Sequence, residues 1–231
     1  MNPPLTSEQL ASLAWLDACT LANAIETFHQ RLRNEGFVDN SIHCLFPHLP
    51  PMLGFAATIK IRGSAPPIAN DPYPDRTDWW DYIVSLPSPR VVVVQDVATR
   101  PGLGSLVGGV HMHILKALQC VGLVTNGSVR DIPAAESAAF NLFTGSISLS
   151  HAYVHIVEIG KSVEIGGLKI QSGDLLHGDL HGVQSIPLDI AAQIPSVAEH
   201  IKAEEGRLIA LCRSPEFSIE KLRAAVAATK S

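Results

Sequence analysis

The segment that most restricts the fold of this chain is Arg90-Val91-Val92-Val93-Val94-Gln95-Asp96. Four consecutive valines with a polar tip suit a strand buried on both faces, since β-branched side chains pack well on a pleated surface and no face is left for water. A glycine-rich stretch follows at Gly102–Gly109, then a helical stretch at His111–Gln119. Val121-Gly122-Leu123-Val124-Thr125 reads as a second buried strand, closed by a turn at Asn126-Gly127. Strand, loop, helix and strand in that order make a βαβ unit, which requires a parallel pair joined by a crossover helix. The fold class is therefore α/β.

The flanking segments fill in one mixed domain over residues 1–231. Thr6-Ser7-Glu8-Gln9 has capping-box spacing at the start of a helix, with a break between two helices expected near Cys19-Thr20. Gly54–Ile61 is expected to form a strand and Asp78–Ser85 a short helix carrying Trp79 and Trp80, which read as packing or lid residues. The stretch from Arg62 to Thr77 holds four prolines and reads as a loop crossing an edge or covering a site. Further on, His151–Ile159 reads as a strand, with His151 and His155 in it. Gly166-Gly167 is a hairpin turn, and Leu168–Ile170, Leu175–Leu176 and Val183–Ile186 form a late hairpin region. A C-terminal helical region covers about 194–228, broken at Ser214-Pro215.

Composition excludes several classes of function. The net charge is 17 − 22 = −5, with 46% hydrophobic and 17% charged residues. A chain this apolar is not disordered throughout, and it lacks the basic face that nucleic acid requires. No apolar run reaches membrane-spanning length, and the N-terminus lacks the pattern of a secretory signal, so the expected location is cytoplasmic. Cys19, Cys44, Cys120 and Cys212 are scattered, with no paired spacing for zinc or a redox dithiol.

Two motifs bear on chemistry. Gly108-Gly109-Val110-His111 ends a loop and opens a helix, where free N–H groups and the helix dipole favour an anion. The same glycines also suit a tight turn with close packing. Neither the dinucleotide glycine pattern nor the P-loop lysine is present. Arg130-Asp131 follows the second buried strand, so it faces the same crevice beyond the carboxyl ends of the parallel strands. Arginine can grip a carboxylate with two hydrogen bonds, and aspartate offers hard oxygen to a divalent cation.

Gly108-Gly109-Val110-His111, followed after twenty residues by Arg130-Asp131 within Asn126-Gly127-Ser128-Val129-Arg130-Asp131, resembles the RraA-like family. That family comprises the regulator of ribonuclease activity A and the class II 4-hydroxy-4-methyl-2-oxoglutarate aldolases. Leu16–Ile25 resembles its first helix, Gly54–Ile61 its first strand, and Ser172–Asp179 with His181-Gly182-Val183 its late hairpin. The resemblance covers about 13–210. It implies a swivelling β/β/α fold assembled as trimers or hexamers, with active sites near subunit boundaries. It implies Mg²⁺ or Mn²⁺ on Asp131, enolate stabilisation by Arg130, and amides of Val110 and His111 just after Gly109 holding the substrate carboxylate. The family's Arg-Asp-x-x-Asp/Glu pattern is broken here by Ala134, and Glu136, two residues on, is the nearest replacement.

The histidines offer a competing site. His177-Gly178-Asp179-Leu180-His181 places three ligand types at alternating positions, which share a face if extended. Gly178 and Gly182 read instead as a turn, giving the segment a structural or intersubunit role. His111 and His113 diverge on a helix, so only His111 can reach the anion site. The expected function is a divalent-metal-dependent lyase cleaving a small 2-oxo acid to release pyruvate, as a 4-hydroxy-2-oxo acid aldolase, an oxaloacetate decarboxylase, or both. The general base is not identifiable in the sequence. The alternative is a non-catalytic regulator binding a ribonuclease or another protein. A methyltransferase reading finds no adenosine-binding glycine motif.

Overall fold

In a computed structural model that describes residues 4–67 and 77–228, Thr6 caps α1 (Ser7–Ala14) through the expected capping box with Gln9. The second helix, α2 (Ala18–Glu26), starts earlier than expected. Asp17 is its N-cap, accepting the Thr20 N–H at 2.8 Å and the Thr20 hydroxyl at 2.7 Å, so the break falls at Trp15–Asp17. A short β1 (His43–Cys44) leads to β2 (Met52–Arg62), α3 (Asp78–Ser85), β3 (Arg90–Asp96), α4 (Gly109–Ala117) and β4 (Cys120–Val129). Residues 68–76 of the proline-rich loop lie outside the described residues, as do residues 1–3 at the N-terminus.

The chain continues through α5 (Ile132–Ser137), β5 (Asn141–Ile147), β6 (His155–Ile159), β7 (Val163–Ile165), β8 (Leu168–Ile170), β9 (Leu175–Asp179), β10 (Gly182–Ile186), α6 (Ile194–Arg213) and α7 (Ile219–Ala228). The main sheet has the order β1-β5-β4-β3-β2-β9-β10. Its centre, β2 to β5, is parallel, while β1, β9 and β10 are antiparallel to their neighbours, and β6 pairs with the distal half of β2. The sheet curls into a nearly closed barrel, in which Gly178 of β9 approaches the Phe143 ring of β5.

Alternation along β3 explains the layers. Val92 and Val94 pack with Trp79, Ile83, Met112 and Leu115 on the helical side. Val91 and Val93 face inward, onto Val163, Ile165, Leu168 and Ile170 of the β7–β8 hairpin. Burying both faces of one strand removes it from water on either side, as the valine run requires. Arg90, at the start of β3, is buried and donates to the carbonyls of Val84, Leu86 and Leu118. Its charge therefore sits against the negative ends of α3 and α4 and fixes both beside the sheet.

Three expectations require correction, and one strand lies where none is expected. Asn126-Gly127 does not close a turn. β4 runs on to Val129 with a register shift against β5 between Thr125 and Ser128, because the Asn126 side chain bonds back to β3. The strand β5 was not expected from the sequence. Only His155–Ile159 of the His151–Ile159 segment is a strand, and His151 lies in the preceding loop. His177-Gly178-Asp179 belongs to β9, so the turn is confined to the residues leading into Gly182, whose φ is 127°. Among the described residues no helix is long and apolar enough to cross a membrane.

Candidate functional site

The site forms beyond the carboxyl ends of β3 and β4, where two polar tips interlock. The Asp96 N–H donates to Asn126 Oδ1 at 2.8 Å, and Asn126 Nδ2 donates to the Asp96 carbonyl at 3.1 Å. The buried Asp96 carboxylate accepts the N–H groups of Ala98 and Gly102. Strand tips, glycine-rich loop and helix start are thereby tied together. These two residues were absent from the sequence-based site, although a polar residue ending a buried apolar run is the signal that marks them.

Asp131 takes the left-handed conformation, with φ 55° and ψ 45°. Asp and Asn tolerate this region better than other non-glycine residues because a short polar side chain can bond nearby backbone. Here the side chain leaves its own helix uncapped and crosses to α4. Gly109 donates its N–H to Asp131 Oδ2 at 2.7 Å. Gly108, the N-cap of α4, has no side chain to offer, so Asp131 supplies the missing cap. A Cβ on Gly108 would stand 2.8 Å from Asp131 Oδ2, which explains the glycine at that position.

The Gly109 N–H holds the Asp131 carboxyl below the usual carboxylate range, with the Arg130 charge and, more weakly, His151 acting in the same direction against partial burial. Arg130 Nε lies 3.5 Å from Asp131 Oδ1, an ion pair longer than an ordinary hydrogen bond. That buried Nε has no hydrogen-bond partner among the described residues. A carboxylate, a guanidinium with unused donor capacity, and the positive end of a helix thus meet at one point. Such a group can bind an anionic oxygen and stabilise charge developing on it.

The other expected residues divide into two places. Val110 is in the first turn of α4 and 75% exposed, and the His111 ring lies 6.5 Å from that of the buried Trp79. A Cβ on Gly109 would stand 3.3 Å from the Cβ of Ala134, so Ala134 faces α4 and leaves an apolar surface there. Glu136 does not replace a carboxylate at that position. Residues two apart on a helix do not share a face, and Glu136 instead pairs with His48 at 3.3 Å.

His177, Asp179 and His181 are far from this point in the topology. Gly178 pairs with Met52, which places them at the amino end of β2, opposite the carboxyl ends that carry Arg130. His177 Nε2 donates to the Leu16 carbonyl at 2.9 Å, and Asp179 Oδ2 accepts the Ala18 N–H at 2.8 Å. Asp179 Oδ1 accepts from both the backbone and the ring of His181. The segment anchors the α1–α2 junction. Among the described residues no group of three His, Cys, Asp or Glu side chains is arranged to hold a metal ion.

The chain is similar to known proteins. A protein of Halalkalibacterium halodurans named "Putative 4-hydroxy-4-methyl-2-oxoglutarate aldolase" is 35% identical over 104 residues, spanning 43% of this chain and 48% of that one, about half its length. A crystal structure of an uncharacterized protein from Pseudomonas syringae pv. tomato superposes with a TM-score of 0.72 at 23% identity, covering 96% of this chain and 95% of the other. Streptomyces coelicolor RraAS2, described as an unusual member of the RNase ES inhibitor RraA protein family, superposes at 0.68 with 19% identity, covering 87% and 96%. These two structures share the fold. Residues 18–184 match the family model RraA-like (Aldolase/RraA), and the chain belongs to that family.

Proposed function

We propose that the protein is a lyase that breaks a C–C bond of a small 2-oxo acid and releases pyruvate, by aldol cleavage of a 4-hydroxy-2-oxo acid, by decarboxylation of oxaloacetate, or by both. The observation that carries this reading is the Nε of Arg130, which makes no hydrogen bond and faces the Asp131 carboxylate only at ion-pair distance, at the start of α4. Both reactions place negative charge on the keto oxygen as the bond to C3 breaks. A fixed guanidinium beside that oxygen is worth more in the transition state than in the ground state. The substrate carboxylate is received at the first turn of α4, where Val110 contributes an N–H without an intrahelical partner.

A divalent ion fits this donor set in one form only. A single carboxylate suits Mg²⁺ or Mn²⁺ that keeps most of its water, and does not suit a transition ion caged by several side chains. Asp131 would hold the ion, which when bound supplies Lewis-acid polarisation of the 2-oxo acid. Asp131 also keeps the α4 terminus in place through Gly109, and Arg130 orients the oxyanion. On this reading the chain assembles as a homotrimer or hexamer.

The test is a coupled assay for pyruvate, using 4-hydroxy-4-methyl-2-oxoglutarate and oxaloacetate with Mg²⁺, Mn²⁺ or a chelator. Turnover that the chelator abolishes is expected. No turnover with either substrate in any metal would contradict the reading and favour a regulator that binds a protein partner.

A further inference from the structure

We propose that His151 is the general base that removes the C4 hydroxyl proton in aldol cleavage, an assignment that rests on the lyase reading above. The loop bearing His151 leaves β5 beside Arg130. The Ser148 N–H donates to the Val129 carbonyl at 3.0 Å, and Ser128 Oγ to Ser148 Oγ at 2.9 Å. Three residues later the chain meets the glycine-rich loop. Ser105 donates its N–H to the Ser150 carbonyl at 3.0 Å, and His151 Nδ1 lies 2.6 Å from the Ser105 carbonyl. A Cβ on Gly104 would overlap the His151 carbonyl, so glycine is what permits the two loops to touch. His151 is thus held between the loops that follow β3 and β5.

The contact with Ser105 fixes the tautomer. A carbonyl oxygen only accepts, so in the neutral ring Nδ1 is the protonated nitrogen and Nε2 the one with the lone pair. This is the arrangement of a base oriented by a second group, with Nε2 as the atom that takes the proton. In the cleavage, Nε2 takes the proton from the C4 hydroxyl, the C4 oxygen forms a carbonyl, and the C3–C4 bond breaks. Its electron pair moves through C3 and C2 onto the keto oxygen beside Arg130. The proton on Nε2 then passes to C3 of the enolate, giving the methyl group of pyruvate. No proton is gained or lost overall. Decarboxylation of oxaloacetate forms the same enolate without removing a hydroxyl proton, so the first of these transfers has no counterpart there.

The two reactions therefore separate a base from a scaffold. His151→Asn retains an N–H near the position of Nδ1, preserving the Ser105 contact, and removes Nε2. The probes are 4-hydroxy-4-methyl-2-oxoglutarate and oxaloacetate, each with Mn²⁺, on the full chain, with the melting temperature recorded for every variant. The expected result is a fall of about a hundredfold or more in kcat for aldol cleavage. Oxaloacetate decarboxylation should stay within a few-fold of wild type, and the melting temperature close to it. His151→Phe, which loses both ring nitrogens, should lower both activities and the melting temperature. Equal losses of both activities in His151→Asn, or none, with an active wild type, overturn the base assignment alone. A wild type inactive on both substrates overturns the lyase reading and this assignment with it.

Discussion

Asp131 caps a helix to which it does not belong: its Oδ2 accepts the Gly109 N–H at 2.7 Å, joining the connection after β4 to the start of the helix that follows β3. Two loops that separate crossovers deliver are thus locked by one hydrogen bond. The carboxylate is held against the positive end of α4 while Oδ1 remains turned toward Arg130. Position and charge of the site depend on the same side chain.

Replacing that side chain should separate its two roles. Asn at 131 can still accept the Gly109 N–H and tolerates the left-handed backbone, so Asp131→Asn should melt close to wild type yet lose Mn²⁺ binding. Asp131→Ala loses the cap, worth about 0.5–2 kcal/mol, and adds a backbone penalty of about 1–2 kcal/mol, so it should melt measurably lower. Isothermal titration with Mn²⁺ and thermal unfolding measure both. Wild-type Mn²⁺ affinity in Asp131→Asn would remove Asp131 as the ligand.

Gly108→Ala tests the closeness of the carboxylate. The backbone at Gly108, with φ −113°, accepts any residue, so the new methyl clashes with the Asp131 oxygen at 2.8 Å and makes ordinary contact with Arg130 Cδ and Nε at 3.6 Å. The side chain can shift to relieve this, at a cost of about 1 kcal/mol or less in stability. Turnover should fall by about tenfold or more, because small displacements at a reacting centre are expensive. Unchanged kcat would mean that the position of Asp131 is not critical.

Ala134 faces Gly109 across the site, and a carboxylate placed there would join Asp131 near the same point. Ala134→Asp should therefore tighten Mn²⁺ binding, by an amount that titration reads directly. An affinity equal to wild type would show that the position does not reach the ion.

Much of this arrangement is legible in the sequence, and the reasons for the rest are local. The run Val91–Val94 announces a strand buried on both faces, and the order of elements places Arg130 and the Gly109 amide at the same end of the sheet. The partner of Asp131 is not legible, because a capping contact across 22 residues depends on tertiary placement. Asn126-Gly127 has the composition of a hairpin turn, but the Asn126 side chain finds Asp96 and the strand continues. His177-Gly178-Asp179-Leu180-His181 has the spacing of a metal site. Burial of His177 and its bond to the Leu16 carbonyl turn it into a structural anchor, which alternation alone does not distinguish. The helical region about 194–228 is legible, since Ser214-Pro215 interrupts the pattern where α6 ends.

His177 should make stability depend on pH. Burial lowers its pKa from 6.5, with Asp179, the Leu16 carbonyl and Asp17 opposing only in part. The unfolded chain therefore takes up a proton first as pH falls. The stability contributed by neutral His177 is fully present above the unfolded value of 6.5 and declines below it. Asp17 and Asp131, whose pKa values are lowered from 3.8, act in a more acidic range. The melting temperature should drop between about pH 7.5 and about pH 5.5 in the wild type and drop less in His177→Gln. Parallel profiles for the two proteins would contradict this.

The role of Arg130 is tested most directly by measuring kcat and melting temperature for Arg130→Lys on one preparation. Lysine keeps the charge but loses the planar fork that can hold carboxylate and oxyanion together. The ion pair with Asp131 is long and partly exposed, so its loss should cost stability only about 0–1 kcal/mol. The account predicts a fall in kcat of about a hundredfold, a smaller change in KM and little change in melting temperature. A lowered melting temperature with turnover per folded molecule retained would make Arg130 a structural residue and contradict the account.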